Sequence, residues 1–322
     1  SVELLEKNPS KINILELQKR INVMNESISH RGPDSDGVFL SKSLALGHKR
    51  LSIIDTSEIA NQPMTSKSGS WVIVFNGEIY NFKEIKEKLS YSFITGSDTE
   101  VILAAVEEKG IDWFINRANG MFSIALHNLT TNHLYLIRDR LGIKPLYYFK
   151  DEDKIVFSSE IKGILSSGLV KAEFNESAVD EYLGNRYVRA PYTFFKNIYQ
   201  LEAGTYIKID NNININESTY WDIPQEFNFD EDFNEEDIAE KFEAELIKAI
   251  KYRLISDVPL GTYLSGGVDS SLITAITAKS QKEALNTYTI GFPELNEFEY
   301  SKVISQQYKT LHHEILMMKE DY

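Results

Sequence analysis

The run Leu264-Ser265-Gly266-Gly267-Val268-Asp269-Ser270-Ser271 constrains this 322-residue chain more than any other stretch. It follows Val258-Pro259-Leu260-Gly261-Thr262-Tyr263-Leu264, which reads as a buried strand, and it leads into a helix predicted over Ser270–Lys279. Paired glycines at such a junction let the backbone turn tightly and aim several N–H groups at an anion. The following helix adds the positive end of its dipole, and Ser265 and Ser270 add hydroxyl donors. No lysine follows the glycines, so this is not a Walker-type loop. A loop of neutral donors suits a released pyrophosphate held together with Mg²⁺, and Asp269 is the natural ligand for that ion, which prefers carboxylate and phosphate oxygens. A second strand is predicted over Asn286–Phe292, a second helix over Phe298–Tyr308 and a third strand from His313 to Met317. Alternating strands and helices indicate a parallel sheet, and two or three strands read as only part of an α/β domain.

The chain before this region has another character. Strands are predicted at Leu44–Ile54, Trp71–Phe75, Phe122–His127, His133–Arg138, Pro145–Phe149, Lys154–Ser158 and Gly204–Ile209, with a last one near Tyr220. Helices are predicted at Ile14–Ser29, Phe82–Leu89 and Thr99–Lys109, the last with Asp98 as its cap. This is an α+β pattern. The expected organisation is a first domain over residues 1–223, an acidic linker over 224–234 and a second domain over 235–322. The second domain opens with a helix capped by Asn234, whose stripe Ile238, Phe242, Leu246, Ile250, Leu254 is expected to pack.

The first domain carries a second constellation. Its pieces are His30-Arg31-Gly32-Pro33-Asp34, Gly47-His48-Lys49-Arg50-Leu51-Ser52-Ile53-Ile54-Asp55, Phe75-Asn76-Gly77-Glu78-Ile79-Tyr80-Asn81, Gly96-Ser97-Asp98-Thr99-Glu100, and Arg138-Asp139-Arg140-Leu141-Gly142-Ile143-Lys144-Pro145-Leu146. Singly, each has a plain structural reading: Asn76-Gly77 is a hairpin-turn dipeptide, Asp98 a helix cap, Arg50 a surface cation.

In this order the pieces resemble the class II glutamine amidotransferase domain, an N-terminal-nucleophile hydrolase of αββα sandwich fold. The glycine loop resembles the PP-loop of ATP pyrophosphatases, and the two together resemble the glutamine-hydrolysing asparagine synthetase family. The resemblance implies a glutamine site of Arg50, Leu51, Ser52, Ile53, Ile54, Asn76, Gly77, Glu78 and Asp98, with the Arg50 fork on glutamine's α-carboxylate and with Asp98 and the Gly77/Glu78 segment as acceptors for its α-ammonium. Within it, the Asn76 side chain and the Gly77 N–H would stabilise the oxyanion formed on the amide, and one such donor is typically worth roughly 3–4 kcal/mol of barrier. It implies an ATP site of Leu264, Ser265, Gly266, Gly267, Asp269, Ser270 and Ile290, the last touching adenine, with Mg²⁺ on Asp269. The implied reaction is amidation of aspartate through a β-aspartyl-AMP intermediate, with ammonia passing between domains near Phe194–Tyr199. Relatives of this architecture also amidate sugar acids, and a non-catalytic glutamine- and ATP-binding paralogue shares the same motifs.

One feature departs from the family. Its nucleophile is an N-terminal cysteine whose own amine, with pKa near about 8, acts as base. This sequence has 0 cysteines, and neither a Cys-Gly-Ile start nor a first strand is expected around Ser1. The chain is therefore expected to be inactive by itself and truncated at both ends. Its formal net charge of −14 argues against nucleic acid or an anionic membrane as partner. No apolar run reaches the length of a membrane span, so a cytoplasmic protein, and from the resemblance a homodimer, is expected.

Overall fold

The computed structural model of the chain describes residues 2–6, 13–42, 44–225 and 234–321. The expected linker over 224–234 lies mostly outside them, at 226–233. The chain divides into two compact units, Ser1–Gln225 and Glu226–Tyr322.

The first unit opens with β1 (Val2–Glu6), α1 (Ile14–Ser27), β2 (Ser35–Leu40), β3 (Leu44–Arg50), β4 (Met64–Thr65) and β5 (Trp71–Ile79). Then come α2 (Phe82–Lys86), α3 (Asp98–Lys109), α4 (Ile111–Arg117), β6 (Gly120–Asn128) and β7 (His133–Arg138). It closes with β8 (Tyr147–Lys150), β9 (Lys154–Ser158), α5 (Ile161–Ser166), α6 (Ser177–Asn185), β10 (Ile198–Gln200), β11 (Thr205–Ile209) and β12 (Ile215–Thr219). Among the described residues these strands build two six-stranded antiparallel sheets, in the orders β10-β8-β9-β1-β3-β2 and β12-β11-β7-β6-β5-β4.

The side-chain alternation of the strands explains the layering. Leu44, Leu46, Ile155 and Phe157 of the first sheet and Val72, Val74, Leu134 and Leu136 of the second meet in one core between the sheets. Ala45 and Val156, one residue out of phase, face the other way and pack with Leu17, Ile21 and Met24 of α1 and Ile164 of α5. Helix α3 covers β5 on the outside of the second sheet. The result is an αββα sandwich.

Four expectations are corrected here. A strand does follow Ser1: β1 runs antiparallel between β3 and β9, with Val2 opposite Gly47 and Ser158. The sequence Val-Glu-Leu-Leu-Glu is poor in β-branched and aromatic residues, so only its two neighbours make it a strand. Strand β3 stops at Arg50 rather than Ile54, because Arg50 turns back on the carbonyls that follow it. The cap of α3 is Ser97, whose hydroxyl accepts from Glu100 N, and Asp98 is the first helical residue. Asn76-Gly77 lies inside β5, opposite Ser123 and Phe122, and not in a hairpin turn.

The second unit contains α7 (Glu235–Arg253), β13 (Gly261–Tyr263), α8 (Val268–Ser280), β14 (Asn286–Gly291), α9 (Phe298–Tyr308) and β15 (Leu311–Leu316). Among the described residues its three strands form a parallel sheet in sequence order. Asn234 caps α7 by accepting from Glu236 N. The expected stripe packs only in part: Ile250 is buried, whereas Ile238 and Phe242 are 44% and 63% exposed. The 13-residue α8 that packs on α7 is shorter than the 19-residue α7, so it covers part of the stripe.

Candidate amino-acid cavity and phosphate loop

The loop after β3, held by two carboxylate anchors, builds one wall of a cavity in the first unit. Arg50, the last residue of β3, donates from Nη1 to Ser57 O (3.0 Å) and Asn61 Oδ1 (2.8 Å), and from Nη2 to Ile54 O (3.4 Å) and Asp55 O. The guanidinium thus gathers the backbone of residues 51–57 around itself. Asp34 Oδ2 accepts from Ser52 N at 2.7 Å and pins the loop from the other side. Asp55 Oδ2 accepts from Gly96 N at 2.6 Å and joins it to the segment before α3.

That segment places Asp98. Glu100, buried, accepts from Ile94 N, Thr95 N and Thr95 Oγ1, and Ser97 caps the helix from one residue before Asp98. The Ser97-x-x-Glu100 pair is the capping-box sequence, with the glutamate reaching further back than usual. Asp98 is 5% exposed and accepts from Ile79 N at 3.0 Å through Oδ2. Burial, opposed by that hydrogen bond and reinforced by Glu78, raises its pKa to about 7. A carboxyl so placed gains most from a cation brought to it.

Strand β5 carries the opposite wall. Gly77 has φ +150°, and a Cβ there would lie 2.0 Å from Met121 O and 2.7 Å from Phe122 Cα. Only glycine lets β5 lie this close to β6. Asn76, one residue before, holds its Nδ2 buried and without a partner among the described residues. His48 of β3 is neutral, its pKa lowered to about 3 chiefly by burial. Nε2–H donates to Phe75 O at 3.0 Å, which leaves Nδ1 as a buried acceptor with no partner among the described residues.

These residues enclose a cavity of about 470 Å³. Of the expected glutamine-site residues, Arg50, Leu51, Ile53, Ile54, Asn76, Gly77, Glu78 and Asp98 line it. Ser52 does not, its N–H being turned to Asp34. A bare bidentate fork at Arg50 is not what the structure presents: both terminal nitrogens already serve the loop. An incoming carboxylate meets the cation's field and the backbone that it organises.

In the second unit the run from Ser265 joins β13 to α8. Leu264 N donates to Tyr288 O at 2.8 Å, and Thr289 Oγ1 donates to Leu264 O, so the loop is tied to β14 at its base. Gly266 has φ +84°, and a Cβ there would meet Tyr300 Cβ at 2.4 Å and Ser301 N at 2.8 Å. Ser265 Oγ and Ser270 Oγ lie 2.9 Å apart across the loop. Gly267 caps α8 with no side chain to occupy the first-turn N–H groups. Asp269 stands exposed in that first turn. Ile290, 44% exposed, is the penultimate residue of β14, beyond the end of β13. Ligands of parallel α/β sheets bind at this carboxyl end of the strands. A backbone cradle with two hydroxyls and one free-standing carboxylate fits a phosphate chain with its magnesium ion.

Residues 10–221 match the family described as Glutamine amidotransferase domain. The chain belongs to that family. Residues 241–322 match the family described as Asparagine synthase. A Methanocaldococcus jannaschii protein named, provisionally, asparagine synthetase (glutamine-hydrolyzing) 2 is 35% identical over 95% of this chain and 63% of its own length. Asparagine synthetase (glutamine-hydrolyzing) 2 of Bacillus subtilis is 37% identical over 83% of this chain and 36% of its own length. Asparagine synthetase B (glutamine-hydrolyzing) of Escherichia coli is 32% identical over 95% of this chain and 52% of its own length. The chain therefore spans between about a third and two-thirds of these relatives.

The amidotransferase cavity also takes in His30, Arg31, His48, Lys49, Gln62, Thr99, Met121 and Lys144, to which the sequence reading gave no role. Several stand within the quoted motifs, so a signal was there for His30, Arg31, His48 and Lys144. Gln62 and Met121 carried none: Gln62 accepts from Phe75 N at 2.6 Å, and Met121 is the register partner of Glu78, both products of pairing distant in sequence. Among the described residues no helix is long and apolar enough to cross a membrane.

Proposed function

We propose that the cavity of the amidotransferase unit binds L-glutamine for release of its amide nitrogen, and that the glycine loop of the second unit binds ATP with Mg²⁺. In the protein that carries this chain, the two would serve ATP-dependent amidation of aspartate to asparagine. The observation that carries the reading is the convergence of Arg50, Asn76, Gly77 and Asp98, from three places in the sequence, on one cavity.

Each end of glutamine has a counterpart. Its ammonium is the missing cation beside the buried Asp98 carboxylate, with Glu78 adding to the attraction. Its carboxylate faces the Arg50 charge and the 51–54 backbone. Its side-chain amide points toward Asn76 Nδ2, a buried donor with no other partner among the described residues, and toward Gly77. A donor already fixed there stabilises an oxyanion without reorganising. The family's nucleophile belongs at the start of the first strand, and β1 brings Val2 level with Gly47, next to His48 of the cavity. This chain has 0 cysteines, so bond cleavage is assigned to no residue here. In the second unit Ser265, Gly266, Gly267 and Ser270 would hold phosphate oxygens, Ile290 would face the adenine, and Asp269 would hold Mg²⁺. The metal supplies charge neutralisation for a leaving pyrophosphate.

The test is calorimetric titration of the chain with L-glutamine over a pH series. Asp98 must be ionised to hold the ammonium, so affinity levels off about one unit above pH 7, where the ligand's ammonium is still protonated, and falls by about tenfold per unit below pH 7, with a proton released on binding. Flat affinity through that window contradicts the ammonium site. For the acceptor, pyrophosphate release from ATP by the longest natural polypeptide carrying this sequence, with aspartate against uronic acids, decides the substrate class.

A further inference from the structure

The segment after β7 is held by an unusual knot. Asp139 is 1% exposed, and its carboxylate accepts four backbone N–H groups: Leu141 (3.1 Å) and Ile143 (3.0 Å) at Oδ1, Phe122 (3.1 Å) and Lys144 (3.0 Å) at Oδ2. Its own N–H donates to Phe122 O at 2.9 Å. Arg138 closes the same loop from outside, donating from Nε to Lys144 O (2.9 Å) and from Nη2 to Gly142 O (2.7 Å). Every polar position of the carboxylate is filled by backbone, so Asp139 offers nothing to a ligand directly.

What it ties together is informative. Lys144, whose N–H shares Oδ2 with that of Phe122, lines the cavity. Phe122 is the register partner of Gly77. Gly77 lies flush on it, since even a Cβ would be only 2.7 Å from Phe122 Cα. A shift of Phe122 is therefore passed to Gly77 and to its neighbour Asn76. One carboxylate oxygen thus fixes the spacing between the strand carrying the amide-facing donors and the loop carrying Lys144.

We propose that Asp139 is a positioning residue that sets the amide end of the cavity; the Asp98 end has anchors of its own, in the Ser97 cap and in Glu100. This rests on reading the cavity as a glutamine site. Misplacement of a reacting group by about 1 Å can cost on the order of 100-fold, so a device that locks this spacing has a function beyond holding a turn.

The experiment compares two ligands in wild type and Asp139→Asn by calorimetric titration. L-glutamine reaches both ends of the cavity, whereas L-2-aminobutyrate has the same ammonium and carboxylate and no amide. With an NH₂ group facing backbone donors, the variant is expected to bind L-glutamine about tenfold more weakly and L-2-aminobutyrate within about twofold of wild type. Asp139→Ser leaves one oxygen where the carboxylate had two, so Phe122 N and Lys144 N lose their shared acceptor; it is expected to show the same change in ratio, which keeps the test available if the first variant does not fold. An unchanged ratio in a folded variant, whether both affinities hold or both fall together, overturns the proposal while leaving the glutamine reading in place. A wild-type chain that binds neither ligand overturns that reading and this proposal with it.

Discussion

Asp98→Asn is expected to weaken L-glutamine binding by about 100-fold, because losing one partner of a desolvated charge pair costs roughly 2–5 kcal/mol. Stability is expected to move the other way. Asp98 is buried with its pKa raised to about 7 by burial first, which means that at pH 8 the empty protein carries a carboxylate in an environment that disfavours it. The amide keeps an oxygen for Ile79 N and removes the charge. Thermal melting at pH 8 should therefore give a variant at least as stable as wild type, and calorimetry should show the lost affinity. A residue that served only to cap or fill the fold would lose stability on substitution, so this opposition of the two readouts distinguishes a binding carboxylate from a structural one.

The second large effect is expected at Gly77. Replacing it by alanine puts a methyl group 2.0 Å from Met121 O, at a φ of +150° that an L side chain rarely adopts. Neither obstacle is the end of a flexible side chain; both are backbone of β6. The β5–β6 ladder, between two interior strands of its sheet, must part locally, at a cost of about 3 kcal/mol or more. A denaturant melt is expected to show that loss, and the folded fraction is expected to bind L-glutamine weakly because Asn76 moves with the strand. A variant with wild-type melting would mean that β5 and β6 do not approach as closely as described.

How much of this was written in the sequence depends on whether a residue's neighbours are near in the chain. Gly266-Gly267 was readable because the turn, its strand and its helix are contiguous. Asn234 and the α9 helix were readable for the same reason. Arg50, Asn76 and Asp98 lie on three separate elements, and no local rule joins them; only the resemblance to a family did so. The resemblance gave Arg50 a free fork, whereas the structure spends that fork on Ser57, Asn61, Ile54 and Asp55. That could not be read from spacing, since it depends on the loop folding back on the cation. Strand β1 was missed because its residues are weak strand formers and the sheet on either side decides. Asp139 was quoted in a motif without a role, because three of its four donors are near in sequence but the decisive one, Phe122, comes from the neighbouring strand.

The central claim is that the two walls of the first unit, β5 and the loop after β3, enclose a site for one free amino acid. A crystal structure of the chain grown with L-glutamine tests it most directly. The account predicts the ligand inside the cavity, its ammonium within hydrogen-bond distance of Asp98 and its side-chain amide against Asn76 and Gly77. Density for the ligand elsewhere, or a cavity that stays empty at saturating L-glutamine, would contradict it.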